Sequence, residues 1–235
     1  MNPILSLITF LLLPTLLFSQ NYAWYSGSSP YTISTEADLI GLRQLVSSNT
    51  DNFDGKTILL ANDIALTGTW IPIGSSTYPF KGILDGQGKT ISGLSVNGGD
   101  YAGLFGYVGE NGQIKNLNVV ATKIKTQTVS ATDTYRYAGG LAAYYASSKS
   151  IENCGVKADS IIAYNGVMSN VIGSRNHSGG LVGYATAALA ITNSYASGNV
   201  NSTGGYGGGL VGYASATLTI TNSYAIHITG KNISV

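Results

Sequence analysis

A parallel β-helix, all-β apart from one capping α-helix near its N-terminus, is the fold this sequence predicts, and three observations carry the prediction. First, one unit recurs: Gly-Leu, two residues, Tyr, and then Ile-x-Asn with its Ile ten residues after the Leu. It reads Gly103-Leu104-Phe105-Gly106-Tyr107 with Ile114-Lys115-Asn116, and Gly140-Leu141-Ala142-Ala143-Tyr144 with Ile151-Glu152-Asn153. It returns as Gly180-Leu181-Val182-Gly183-Tyr184 with Ile191-Thr192-Asn193, and as Gly209-Leu210-Val211-Gly212-Tyr213 with Ile220-Thr221-Asn222. Second, successive Gly-Leu pairs lie 37, 40 and 29 residues apart while the internal spacing stays at ten. A unit rigid inside with a variable connecting loop is the mark of a solenoid. Third, a single helical pattern stands ahead of a chain otherwise made of short β-rich runs.

The elements follow in order. Residues 1–20 read as a secretory signal, since Ile4 to Phe18 is mostly apolar, carries Pro14, and gives way to small and polar residues. Cleavage after Ser19 would leave Gln20 first. No charged side chain precedes Glu36, although such signals usually open with Lys or Arg. Residues 21–35 are rich in Tyr, Ser, Gly and Pro and read as an irregular leading segment. Thr35 with Asp38 is a capping-box pattern, and Leu39, Leu42 and Val46 form one apolar stripe, so a helix is expected over 36–46. Its use would be to cover the first coil, whose core and strand edges otherwise face water.

Coils are expected from about residue 57 onward, making 36–235 one solenoid domain, incomplete at its C-terminus. Thr57–Leu60, Ile64–Leu66, Thr69–Gly74 and Phe80–Gly88 are short β-rich runs, and Ile91-Ser92-Gly93-Leu94-Ser95-Val96 matches Ile114-Lys115-Asn116-Leu117-Asn118-Val119. Stacked coils turn repeated residues into columns about 4.8 Å apart. Leu104, Leu141, Leu181 and Leu210 form one apolar column; Ile114, Ile151, Ile191 and Ile220 form another. Asn116, Asn153, Asn193 and Asn222 form a third, whose amides can bond along the stack while tolerating a left-handed corner. Glycines ahead of each Leu, as in Gly139-Gly140 and Gly179-Gly180, are expected to take positive φ or to allow close backbone approach.

Composition excludes several functions. Net charge is +1, from 12 Lys and Arg against 11 Asp and Glu, which supplies no basic stripe for phosphates, so nucleic acid is not expected as a partner. No segment after the signal is long and apolar enough for a membrane helix. Cys154 is the sole cysteine, which rules out an internal disulfide framework, and its place beside Ile-x-Asn marks it as a wall-filling thiol. The two histidines, His177 and His227, are fifty residues apart in polar settings and read as exposed surface residues, without the spacing of a zinc peptidase. Carboxylates are scattered: Asp85 sits in the turn Asp-Gly-Gln-Gly, while Asp54, Asp63, Asp100, Asp133 and Asp159 could meet only across coils. Thr217-x-Thr219-x-Thr221 lacks a matching rung at Ala188 and Ala190, so it is no ice-binding array. No catalysis, cofactor or metal is expected.

The remaining candidates are Tyr107, Tyr144, Tyr184 and Tyr213, one tyrosine per unit among sixteen. Stacked exposed rings could grip a sugar face or a partner surface. Strict alternation puts each on the same side as Phe105, Ala142, Val182 or Val211, which favours a covered, structural column over ligand binding.

The lead-in Trp70-Ile71-Pro72-Ile73-Gly74, Phe80-Lys81-Gly82-Ile83-Leu84-Asp85-Gly86-Gln87-Gly88 and Tyr101-Ala102-Gly103-Leu104-Phe105-Gly106, with the four units, resembles the GLUG-motif repeat family. The resemblance runs from about Tyr31 to Tyr224; the second unit departs from it with Ala142-Ala143. It implies a right-handed parallel β-helix in an exported or cell-surface bacterial protein, either adhesin-like or an accessory region of a larger exported enzyme, some IgA-cleaving metallopeptidases included. It carries over no catalytic residue. The expected function is adhesin-like display or recognition at the cell surface, with a glycan or a host or cell-surface protein as partner. The alternatives are an accessory or carbohydrate-processing fragment of a larger enzyme, and a purely structural spacer. End-to-end self-association through the C-terminal coil is expected as well.

Overall fold

A short β-rich run bounded by turns satisfies its backbone only by pairing with the equivalent run one coil away, and that pairing organises the whole chain. The computed structural model describes residues 22–127, 135–164 and 175–226. Within them the chain is a parallel β-helix. One seven-stranded sheet stacks Tyr31–Ile33, Thr57–Leu60, Ile83–Asp85, Gln113–Lys115, Ile151–Glu152, Leu189–Thr192 and Leu218–Thr221 in sequence order. A six-stranded sheet stacks Ile64–Ala65, Thr90–Asn97, Asn118–Lys125, Gly155–Ala163, Tyr195–Ser202 and Tyr224–Ile226. Two four-stranded sheets complete the later coils. One holds Tyr101–Ala102, Tyr135–Gly139, Arg175–Gly179 and Gly207–Gly208; the other holds Phe105–Val108, Ala142–Tyr145, Val182–Ala185 and Val211–Ala214. The paired strands of all four sheets run parallel.

The apolar columns lie inside. Leu104, Leu141 and Leu181 are fully buried, with Leu210 close behind, and Leu141 and Leu181 each donate their N–H to the Leu carbonyl of the next coil at 2.9 Å. Ile151 pairs with Ile191 and Ile191 with Ile220, and Leu84 and Ile58 continue that column toward the N-terminus. The last member departs from expectation: Ile220 is 46% exposed, because among the described residues no later strand pairs with its own.

The Asn column forms as predicted. Asn116, Asn153, Asn193 and Asn222 all take positive φ, between 47° and 52°. Their amides bond head to tail, each Nδ2 donating to the Oδ1 before it, at 2.9, 3.3 and 3.4 Å. Asn116 donates onward to Asp85 Oδ1 at 3.0 Å, and the same oxygen accepts the Gln87 N–H. Asp85 is thus a turn residue that also ends the ladder. The glycines ahead of Leu do not take positive φ; they allow close approach. A Cβ on Gly139 would fall 2.7 Å from Gly183 N, and one on Gly179 2.6 Å from Gly212 N.

The N-terminal end is closed. The helix spans Glu36–Ser47, one residue beyond the expected end, and its capping box is complete: Thr35 Oγ1 accepts the Asp38 N–H and Asp38 accepts the Thr35 N–H. Leu39, Leu42 and Val46, with Leu45, are buried in one core cluster with Tyr31 and Ile33. Glu36 accepts from Thr67 N–H and Oγ1, and Arg43 lies 5.8 Å over the Trp70 ring. The leading segment is not wholly irregular: Tyr31–Ile33 is the first strand of the stack and pairs with Thr57–Leu60. Trp24, Tyr25 and Tyr31 pack about Phe53, and the aromatic contact continues inward through Phe80 to Phe105. Among the described residues no helix is long and apolar enough to cross a membrane.

Candidate functional site

The tyrosines do not share a side with their apolar companions. Phe105 and Val108 are both fully buried although three residues apart, and Tyr107 between them is only half-buried. The same holds for Tyr144 between Ala142 and Tyr145, and for Tyr184 between Val182 and Ala185. Two inward residues three apart mean that the alternation slips by one within each strand. Phe105, Ala142 and Val182 therefore belong to the core, while Tyr107, Tyr144, Tyr184 and Tyr213 form a column on the outside. The expectation that each tyrosine shares a side with its apolar companion is corrected on this point.

A second column covers the first. Tyr101, Tyr137, His177 and Tyr206 stand in register on the adjoining four-stranded sheet and its edge, across the Gly-Leu corner. Rings from the two columns interleave: Tyr137 lies 5.4 Å from Tyr144 and 5.2 Å from Tyr184, and His177 lies 5.6 Å from Tyr184 and 5.0 Å from Tyr213. Within the first column Tyr107 and Tyr144 stack at 4.3 Å. Each such pair adds about 0.5–1.5 kcal/mol beyond its buried area. Burial, then the neighbouring phenols, pushes the Tyr107 and Tyr137 hydroxyls well above the ordinary tyrosine range, so both are neutral at physiological pH. Its C-terminal rings open to solvent, Tyr206 at 50% and Tyr213 at 39% exposure.

Sequence reasoning missed this second column. The signal was an aromatic three residues before the Gly of each Gly-Leu pair, at Tyr137, His177 and Tyr206. It was obscured because Tyr101 stands two before its Gly and because one member is His. His177, expected on the surface, is 2% exposed and stacks against both Tyr206 and Tyr213. Its Nδ1 accepts the Tyr206 N–H at 3.3 Å. His227 lies outside the described residues.

At the N-terminal end of the ladder the rings surround a cleft of roughly 250 Å³ lined by Asp100, Tyr101, Tyr135, Tyr137 and Tyr144. Behind it Arg136, with no exposed surface, sets Nε 3.1 Å from Asp100 Oδ1 and donates from a terminal nitrogen to the Tyr135 carbonyl at 2.8 Å. The other carboxylates are not brought together. Asp54 accepts from Asn111, and Asp63 accepts from Thr90 N–H. Asp159 lines a separate groove with Lys157, and Asp133 lies outside the described residues. Among the described residues no three His, Cys, Asp or Glu side chains gather as a metal would require. Cys154 is buried, bonds back to the Glu152 carbonyl as Ser194 does to Thr192, and has its thiol pushed up to about 12 by burial. It is a wall residue.

Parallel coils, an asparagine corner ladder and an outward aromatic ladder make this a β-solenoid repeat protein. Residues 174–201, which span the third unit from before His177 to beyond Asn193, match the GLUG motif family. A protein of Evansella cellulosilytica provisionally named Gly-rich membrane protein is 34% identical over 108 residues, covering 42% of this chain and 12% of that one. Halomucin of Haloquadratum walsbyi is 37% identical over 106 residues, covering 40% of this chain and 1% of its own length. The similarity thus takes in only a small part of either relative. A solved structure from Bacteroides ovatus, provisionally named an immunoglobulin A1 protease, superposes with a TM-score of 0.56 at 21% identity, covering 86% of this chain and 67% of that one. That likeness is one of fold.

Proposed function

We propose that this chain is an adhesin-like display and recognition module of the bacterial cell surface, exported and without catalysis, whose contact face is the outer aromatic ladder. The observation that carries the reading is the ladder itself: eight rings in two interleaved columns on the outside of the solenoid, where burial of a core would need none. Tyr107, Tyr144, Tyr184 and Tyr213 supply one column, and ring edges and hydroxyls offer both apolar contact and hydrogen bonds to a glycan or a surface protein. Relatives named for a membrane and for halomucin support placement at a surface. The test is retention of the purified protein on a glycan array and on intact cells. The parent should be retained, and Y135A/Y206A/Y213A, altered only at exposed rings, should lose about tenfold or more of that affinity while melting near the parent. Absence of retention, or equal retention of the variant, would overturn the proposal.

A second reading is an accessory region of a larger exported enzyme. It is favoured by the fold shared with the Bacteroides ovatus protein and by the small share of each relative that this chain matches. The full-length protein would then carry its catalytic residues elsewhere. A purely structural spacer is the reading left if the ladder binds nothing.

A further inference from the structure

We propose that the cleft at the N-terminal end of the ladder binds a quaternary ammonium group, the trimethylammonium head of a choline-type ligand. The proposal rests on the reading of the ladder as a contact face and names its chemistry at one place. Three of the lining rings converge without lying parallel: Tyr101 meets Tyr137 at 40°, Tyr101 meets Tyr144 at 70°, and Tyr137 meets Tyr144 at 72°. Their centroids are 5.4 to 6.2 Å apart, a cluster compact enough for one cation at its mouth to reach the range of about 6 Å over which aromatic rings attract positive charge. Tyr135, 6.4 Å from Tyr137 and 41% exposed, forms the outer wall. A flat sugar face needs one open ring as a platform, and these planes enclose a corner.

The charge arrangement agrees. Among the five described lining residues the only ionisable group besides phenols is Asp100, whose side chain is 32% exposed, and none of the five is a lysine or arginine. Arg136 offsets part of that carboxylate from behind the sheet, so the ring faces supply most of the attraction, and a weakly hydrated quaternary cation gains more from them than a primary ammonium does. Tyr107 braces the wall by stacking on Tyr144 at 4.3 Å with the planes 13° apart. The chain already makes such contacts within itself, as where Lys125 Nζ lies 4.7 Å from the Tyr164 ring.

The test titrates the full chain with choline chloride, following tyrosine fluorescence and, separately, binding heat. Its comparators are butylammonium and the neutral isostere of choline in which tert-butyl replaces trimethylammonium. Choline should bind saturably, the neutral isostere about tenfold more weakly or not at all, and butylammonium more weakly than choline. Y135A, at an exposed ring, should weaken choline about five- to tenfold, and D100N should weaken it as well. Equal binding of the neutral isostere, tighter binding of butylammonium, or unchanged affinity in both variants would overturn the proposal, as would no saturable choline binding. A protein that adheres through its exposed rings but ignores choline loses the cage and keeps the adhesive reading. One that binds choline but adheres to no surface keeps the cage and loses that reading.

Discussion

The asparagine and aromatic ladders are both built from one residue per coil, yet one is spent on the fold and the other is open to the outside. Each asparagine amide in the middle of the stack donates to one neighbour and accepts from the other, and its backbone fills a left-handed corner. The tyrosines meet one another by faces and by edges, and the terminal rings Tyr206 and Tyr213 remain at the surface. Repetition alone therefore does not distinguish a structural column from a contact face. Whether each member is consumed by the next one does.

The comparison can be broken hardest from underneath. Leu181→Asp puts an unpaired charge into the dry column that supports both ladders and should cost several kcal/mol, on the order of 3–5, read by denaturant titration. A variant melting like the parent would mean the column is not internal. Next comes the asparagine ladder: Asn153→Ala loses two side-chain hydrogen bonds and forces a Cβ-bearing residue without local bonding into the left-handed region, about 2–3 kcal/mol together. Asn153→Gly should recover about 1 kcal/mol of that, because only the bonds are lost. Equal costs for the two would remove φ from the account.

The aromatic ladder should respond less. Tyr213→Ala, at a half-open ring, is expected to cost about 1 kcal/mol or less while weakening adherence, the reverse of the asparagine pattern. A still smaller effect is the pH response. The Tyr107 and Tyr137 hydroxyls are held above the value of about 10 that they have in the unfolded chain, so between the two values the folded state keeps protons that the unfolded state has released. Their contribution is full below about pH 10 and declines as pH rises through the folded values, so denaturant midpoints should be level to about pH 9 and fall above pH 10. Phenolate absorbance of the folded protein should likewise show these rings ionising late.

The columns of Leu, Ile and Asn were legible because the spacing inside each unit never changes, and a residue at constant spacing in a stacked coil must fall above its equivalent. The capping helix was legible from Thr35, Asp38 and three apolar positions. The orientation of the tyrosines was not, since alternation by two fails where Phe105 and Val108 both turn inward. The second aromatic column was hidden by a one-residue difference at Tyr101 and by His177, whose polarity in sequence gave no sign that four tyrosine rings would surround it. Strand Tyr31–Ile33 was missed because three residues among Ser, Tyr and Pro carry no period. The expected signal over residues 1–20 lies outside the described residues.

Tyrosine-selective nitration mapped by peptide mass, on the free protein and on the protein held by the glycan or cell surface that retains it, tests the contact face most directly. In the free protein Tyr135, Tyr206 and Tyr213 should react readily and the buried Tyr145 should not. On binding, protection should appear at the ladder rings Tyr206 and Tyr213 and at Tyr135 beside the ladder, and leave Tyr22 and Tyr78, which lie away from it, as reactive as before. Protection at Tyr22 or Tyr78 with the ladder rings still reactive would contradict the assignment of the outer aromatic columns as the face this protein presents to its partner.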